Sequence, residues 1–267
     1  MNEITTGAPI PANPLLDRIK MPGETFTLPS GGLFYTNNEL DSSAINAEVH
    51  VHPMTAIDEI LLKTPDLLFS GQAISQVFRH CIPQINKPME LMAKDVDFLL
   101  ICLRKVSFGE MMELEYEHNC KDAKLHHYNV NIDTFVKGSV RIEPVNYKSK
   151  YQVILDNKQV VNMNPIRFKD YIRIMQSAEG GSLSAEQVKV EMIESLTNVI
   201  RSVDEVTNPE HIAQWLESIK AGWLQAITDH IEVMSDWGPT FKTEIVCKDC
   251  DAQVMITPPM NPIAFFT

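Results

Sequence analysis

Positive charge is in short supply in this chain. Lys and Arg total 23 against 35 Asp and Glu, a net charge of −12 over 267 residues. No basic patch offsets this; the run Lys148 to Lys150, for example, holds only two lysines. Such a surface repels phosphate backbones and anionic membranes, so nucleic acid is not an expected partner. Long hydrophobic runs are missing as well. Nothing approaches the roughly 18–20 apolar residues that cross a bilayer, and membrane insertion is not expected. The segment Met1 to Lys20 has an early acid and scattered prolines with no continuous apolar stretch, unlike a signal peptide. Cysteine is sparse and odd in number, five in all, which argues against a disulfide framework and for a reducing compartment. The local fingerprints GxxxxGK, GxGxxG, HExxH and GxSxG are all absent. What remains is 44% hydrophobic and 22% charged, the composition of a soluble globular protein of one or two domains.

The most patterned stretch runs from Glu48 to Glu110. Ala47 to Val51 alternates as a strand. Thr55 can cap a helix carrying Ile57, Ile60 and Leu61 on one face, which Pro65 ends or bends. Ser70-Gly71 reads as a turn, and Ala73, Val77 and Cys81 recur at i+4 on the next helix. A third helix over about Lys94 to Lys105 carries the apolar run Phe98 to Leu103, so it is expected to be buried on most sides. Asp95 and Asp97 near its start read as carboxylates favouring the helix dipole. Upstream, four prolines and two glycines before Thr25 predict an extended arm, followed by a short strand at Phe26 and a turn at Ser30-Gly31-Gly32.

Downstream, Met111 to Cys120 and Leu125 to Ile132 alternate about a polar turn and predict a β-hairpin. A second hairpin is predicted from Tyr151 to Met163 about Asp156-Asn157. Four helical segments follow: about Pro165 to Ser177, ended by Gly180-Gly181; a segment opened by the capping box Ser184-x-x-Gln187 and running through Val199 and Val203; one opened by Asn208-Pro209; and, after an interruption at Gly222, Leu224 to Met234. Phe241 to Val246 and Ala252 to Ile256 then predict a closing hairpin. The expected fold class is α+β: a helical core, a small zinc-ribbon-like β-hairpin unit and a mostly helical insertion. The expected divisions are an arm over 1–25, a core over 26–135, an insertion over 136–237, and a returning hairpin and tail over 238–267.

The strongest local chemical signal is Cys247-x-x-Cys250 between two short strands. Two thiolates at this spacing can hold one edge of a tetrahedral zinc site. No second CxxC exists; the nearest match is Glu117-His118-Asn119-Cys120, with glutamate where a first cysteine would stand. Cys120, Cys247 and Cys250 with one of His118, His126 or His127 form a chemically reasonable site, and His118 is carried as the fourth ligand. The competing reading makes both segments β-turns whose cysteines are half-buried apolar residues. Redox chemistry would want CxxC at a helix start, whereas the residues here alternate like a strand. His50 and His52 share a strand face without a completing carboxylate or cysteine. His80 and Cys81 point about 100° apart on a helix, so their adjacency reads as incidental.

The block PMTAIDEILLKTPDLLFSGQAI, the later DVDFLLICLRKVSFGE and the upstream LPSGGLFY resemble tail proteins of T4-like contractile-tailed bacteriophages, in particular the baseplate hub and hub-assembly family. The resemblance covers about residues 26–130, and more loosely CKDC with the closing Phe265-Phe266; residues 141–237 find no counterpart. It implies a non-enzymatic part in building a tail baseplate, as virion component or assembly factor, with other tail proteins or a second copy as partners. Its setting would be the virion tail, the host cytoplasm during assembly, or both. Leu28, Phe34 and Tyr35 of LPSGGLFY, with Phe265 and Phe266, are the residues proposed for partner contact; ordinary packing on their own domain is the equal alternative. Two other classes stay open: a zinc-ribbon regulatory module unrelated to tails, against which the net charge speaks, and a hub-associated murein hydrolase. The hydrolase would need a carboxyl of raised pKa in a cleft.

Overall fold

The computed structural model describes residues 22–120, 124–145, 147–179 and 184–257. β1 (Glu24–Thr27) pairs antiparallel with β2 (Glu48–Val51), with Phe26 opposite Val49. Alternation turns Phe26, Val49 and Val51 inward. Three short helices follow, α1 (Ala56–Leu62), α2 (Pro65–Phe69) and α3 (Gln72–Cys81). Thr55 and Asp58 form a reciprocal capping box that starts α1, and Pro65 opens α2 as a first-turn proline, where its missing N–H costs nothing. Gly71 joins α2 to α3 at φ +72, and a Cβ there would meet Ile172, Met89 and Phe168 at 3.1–3.3 Å. Both the backbone conformation and the close approach call for glycine.

α4 (Ala93–Phe108) is the central strut, and its run Val96, Phe98, Leu99, Leu100, Ile101, Cys102 and Leu103 is buried on nearly all sides. β3 (Met111–Glu117) and β4 (Leu125–Asn131) form the expected hairpin, with Met112 opposite Val130 and Leu114 opposite Tyr128. α5 (Asp133–Lys137) returns the chain to α4, where Lys105 Nζ lies 2.8 Å from Asp133 and 3.1 Å from Glu24. Beyond it come α6 (Tyr147–Lys150), β5 (Gln152–Ile154), β6 (Val160–Met163), α7 (Phe168–Glu179), α8 (Ala185–Val199), β7 (Ile200–Val203), α9 (Pro209–Ser218) and α10 (Ala221–Met234). The hairpin β8 (Thr243–Val246) and β9 (Gln253–Ile256) closes the described chain. The class is α+β, with small antiparallel sheets set among helices.

Three local expectations change. Val203 is not helical. α8 stops at Val199 and Ile200–Val203 becomes the third strand of a sheet ordered β5-β6-β7, with Asn162 Nδ2 donating to Ser202 Oγ at 2.8 Å. The i+3/i+4 apolar spacing fits a helix there, but the unpaired side of β6 offers backbone partners that a continued helix would leave unused. Gly222 does not interrupt a helix; it sits in the first turn of α10, and the break falls at Ile219 and Lys220. α7 begins at Phe168 rather than Pro165, because Ile166 and Phe168 pair through their backbones with Ala93 and Leu91 (2.9 and 2.8 Å). Gly180-Gly181 lies outside the described residues.

Buried side chains fall into two clusters. The first gathers β1, β2, α3, α4, β3, β4 and α5 and takes Ile245 and Ile256 from the closing hairpin. The second runs from Ile142 to Trp237 and takes in Phe34 and Met92. The segment Leu28 to Tyr35 stitches them together. Leu28 is buried in the first, while Phe34 lies in the second, edge-on to Tyr151 with ring centroids 5.2 Å apart. Between them Asp95 is wholly buried: Oδ1 accepts from Ser30 N–H (3.1 Å) and Oδ2 from the Tyr35 hydroxyl (2.5 Å), which itself accepts from Met92 N–H (2.9 Å). Asp95 is therefore more than a carboxylate favouring a helix dipole. Of the residues expected as partner contacts, Leu28 and Phe34 are buried in this chain's own clusters, the alternative of packing on their own domain, and Tyr35 is half-buried with its hydroxyl on Asp95.

Tyr35→Phe removes one hydroxyl and orphans Met92 N–H and one Asp95 oxygen, so it is expected to lower stability by about 1–3 kcal/mol in urea denaturation. Burial pushes the Asp95 carboxyl from 3.8 to about 6, against the lowering effect of its bonds to Ser30 and Tyr35. A raised folded-state pKa gives stability that is complete below pH 3.8 and is lost as pH rises through about 6. Wild type relative to Asp95→Asn is accordingly expected to be more stable at pH 4 than at pH 7, by up to about 3 kcal/mol. An unchanged difference at the two pH values would contradict the burial of an ionisable group there.

Candidate metal centre

The turn between β8 and β9 is Cys247-Lys248-Asp249-Cys250. Its backbone folds tightly: Cys247 N–H donates to Ala252 O at 2.9 Å, Asp251 N–H donates to Cys247 O at 3.0 Å, and Asp251 takes a left-handed φ of +57. Opposite it, the chain leaving β3 turns at His118 and Cys120, with Cys120 N–H donating to His118 O at 2.7 Å. Other contacts fasten the two turns together. Asp249 accepts from Lys124 N–H (3.2 Å) and lies 2.9 Å from His126 Nε2 as an ion-pair contact. Lys248 donates from Nζ to His127 O (2.7 Å) and from its backbone to the Tyr128 hydroxyl (3.2 Å).

This fastening brings the ligand atoms of His118, Cys120, Cys247 and Cys250 all within 4.8 Å of one another. Cys250 Sγ is 3.4 Å from His118 Nδ1, although the two residues stand 132 apart in the chain. Such a group can hold a metal ion. The Cys247 thiol is pulled down to about 7, chiefly by the backbone N–H of Asp249, then by Cys250 and the His118 side chain, against the opposing effect of burial. His126 is turned to Asp249 and His127 to Glu113 and Glu115 (3.2 and 3.5 Å), so neither joins the group. Phe265 and Phe266 lie outside the described residues.

A second group, Asp58, His80 and Cys81, was not anticipated from the sequence. His80 Nδ1 lies 2.8 Å from Asp58 Oδ2, and Cys81 Sγ lies 3.8 Å from the same oxygen. The readable signal was the spacing Thr55-x-x-Asp58, which aims the capping carboxylate back over the start of α1. Burial first, and the Asp58 carboxylate second, push the Cys81 thiol up to about 12, which makes it a poor nucleophile at neutral pH. Asp95 has the raised pKa a glycosidase acid needs, but both oxygens are occupied and the residue is sealed from solvent. His50 and His52 stack edge-on at 4.6 Å between ring centroids, and His50 meets the hydroxyl of Thr25 (3.0 Å). Native alkylation with iodoacetamide at pH 7.4 is expected to leave Cys81 and Cys102 unmodified for as long as the helical core stays closed. Rapid labelling of either would contradict the packing of α3 and α4.

No curated protein and no solved structure matches the chain. A family model described as "T4 bacteriophage base plate protein" matches residues 21–266. That span takes in both apolar clusters, the Asp95 network and both turns of the four-residue group. The chain belongs to the T4 bacteriophage base plate protein family.

Proposed function

We propose that this baseplate protein is of the hub type and acts in assembly of the baseplate through its surfaces, without catalysing a reaction. The family match over nearly the whole chain carries the reading. The resemblance of LPSGGLFY and the two helical blocks to hub and hub-assembly proteins narrows it. For two of the shifted groups a catalytic part is disfavoured: Asp95 is enclosed, and Cys81 is held protonated. The partners are other tail proteins, with a second copy of the chain as a further one. Its setting is the virion tail, the host cytoplasm during assembly, or both. In this reading residues 26–135 are the core, residues 136–237 an inserted lobe and residues 238–267 a hairpin and tail returning to the core, while the proline-rich segment ahead of β1 and Phe265-Phe266 are offered for partner contact.

Exposed apolar side chains suit such a role. Ile57 and Ile60 lie one turn apart on α1 and are 70% and 65% exposed. α1 packs against α2 and α3 with its other face, so this pair is free of the core it belongs to. Apolar side chains set side by side in water favour burial against another protein. Ile57→Asp/Ile60→Asp is expected to change unfolding free energy by no more than about 0.5 kcal/mol per site, while lowering the yield of complete tails in complementation of a phage lacking the gene. Normal yield would remove α1 from the contact surface.

Quantitative mass spectrometry of purified virions, set beside the infected-cell lysate, tests the reading as a whole. Peptides at a fixed stoichiometry in the particle would make the chain a permanent component. Abundance in the lysate with absence from particles, and failure of tails to form without it, would make it an assembly factor. Tails forming normally without the chain, which is absent from them, would overturn the proposal.

A further inference from the structure

We propose that His118, Cys120, Cys247 and Cys250 form a structural zinc site, one ion per chain, that clasps the β3–β4 hairpin to the β8–β9 hairpin. Zinc with three thiolates and one imidazole is a recognised closed set, with Zn–S near ~2.3 Å and Zn–N near ~2.0–2.1 Å. A tetrahedron of those bond lengths has edges of about 3.5–3.8 Å. The Cys250 to His118 separation of 3.4 Å already matches an edge, and the limit of 4.8 Å over the whole group leaves about 1 Å of side-chain closure. Rotation about χ1 of the cysteines, and about χ1 and χ2 of His118, moves ligand atoms by distances of this size.

The donor set selects the metal. Calcium and magnesium require oxygen ligands, and there is no carboxylate in the group. Soft thiolates favour zinc, copper(I) or iron–sulfur chemistry, and one imidazole among three thiolates suits zinc best. The set also decides the role. Four protein ligands fill the tetrahedron and leave no position for water or substrate, so the ion holds structure and catalyses nothing.

The surrounding contacts make the site pre-arranged. Asp249, inside the CxxC turn, is gripped by Lys124 N–H and His126, while Lys248 reaches His127 O and the Tyr128 hydroxyl. These contacts fasten the two turns to each other, and the 2.9 Å approach of His126 to Asp249 turns that imidazole away from the group. The ligand His118 and the supporting His126 thus have separate duties. A disulfide would spend only two of the four side chains, and none of the five cysteines is bridged. The ion links residues 132 apart in sequence, so it closes one of the longest loops in the chain and removes its freedom from the unfolded state.

The test uses the full chain, expressed with zinc in the medium and purified under reducing conditions. Elemental analysis is expected to give one zinc per chain. Exchange with cobalt(II) is expected to give the intense visible bands of a tetrahedral thiolate site. A membrane-permeant zinc chelator is expected to lower the melting temperature of wild type by roughly 10 °C. Cys247→Ser/Cys250→Ser should bind less than a tenth of the wild-type zinc, and His126→Ala should keep it. Should the double cysteine variant fail to fold, cobalt exchange and the chelator shift on wild type still decide the matter. Zinc below about 0.1 per chain, a weak octahedral cobalt spectrum, a Cys247–Cys250 disulfide in the reduced preparation, copper or iron in place of zinc, or a melting temperature indifferent to the chelator would each overturn the proposal.

Discussion

The carboxyl of Asp95 holds the two halves of this protein in register. It is buried at the start of α4, where it takes a backbone N–H from the Ser30 turn and the hydroxyl of Tyr35, while that hydroxyl also accepts from Met92. Two pieces of chain about 60 residues apart, the Ser30–Tyr35 turn and the start of α4, meet at this side chain in a medium where an unmet hydrogen bond is expensive. The turn so fixed carries Leu28 into one apolar cluster and Phe34 into the other. Gly31 and Gly32, at φ +60 and +75, provide the left-handed backbone that lets the segment reverse within so short a span. Burial works against ionisation of Asp95 while its hydrogen bonds favour it, and burial prevails. The network therefore gives position more than free energy.

A second tie acts at the far side of the first cluster. The closing hairpin inserts Ile245 and Ile256 beside the β3–β4 hairpin, and Asp249 and Lys248 bond across to the strand that carries His126, His127 and Tyr128. Everything between these hairpins leaves and returns at neighbouring points. Residues 142–237 supply most of the second cluster, and backbone pairing of Leu91 and Ala93 with Phe168 and Ile166 steadies that lobe against α4. Arg167 adds bonds to Glu90 O (2.7 Å) and to the buried Glu39 (3.3 Å) at the same junction. The chain is thus tied at three places that local sequence does not connect.

The surface left over is acidic and bears apolar side chains in places the cores do not use. α1 shows this most simply: its buried face carries Asp58 and Leu62, and its outer face carries Ile57 and Ile60. A net charge of −12 makes copies of the chain repel one another. A neighbour that supplies complementary charge can still cover the isoleucines.

The sequence by itself determined the elements with strong local physics. The Thr55 and Ser184 capping boxes, the Asn208-Pro209 start and the strict alternation of Met112, Leu114 and Tyr116 each appear where their spacing puts them, because capping and pleat depend on residues within a few positions of one another. The apolar run of α4 likewise declared its own burial. The sequence also supplied the ligand types at the two turns, with His118 carried ahead of His126 and His127. The physical reason for that order lies in the tertiary structure, where His126 is turned to Asp249 and His127 to Glu113 and Glu115. Tertiary contacts also decided the strand at Ile200–Val203, where an edge of β6 outweighed helical spacing, and placed Leu28 and Phe34 of LPSGGLFY in two different apolar clusters. Asp58 beside Cys81 and Asp95 beside Tyr35 were invisible for the same reason: their partners lie 23 and 60 residues away. Local patterns fix what the backbone does over a few residues, whereas which side chains meet depends on how the remaining chain excludes water.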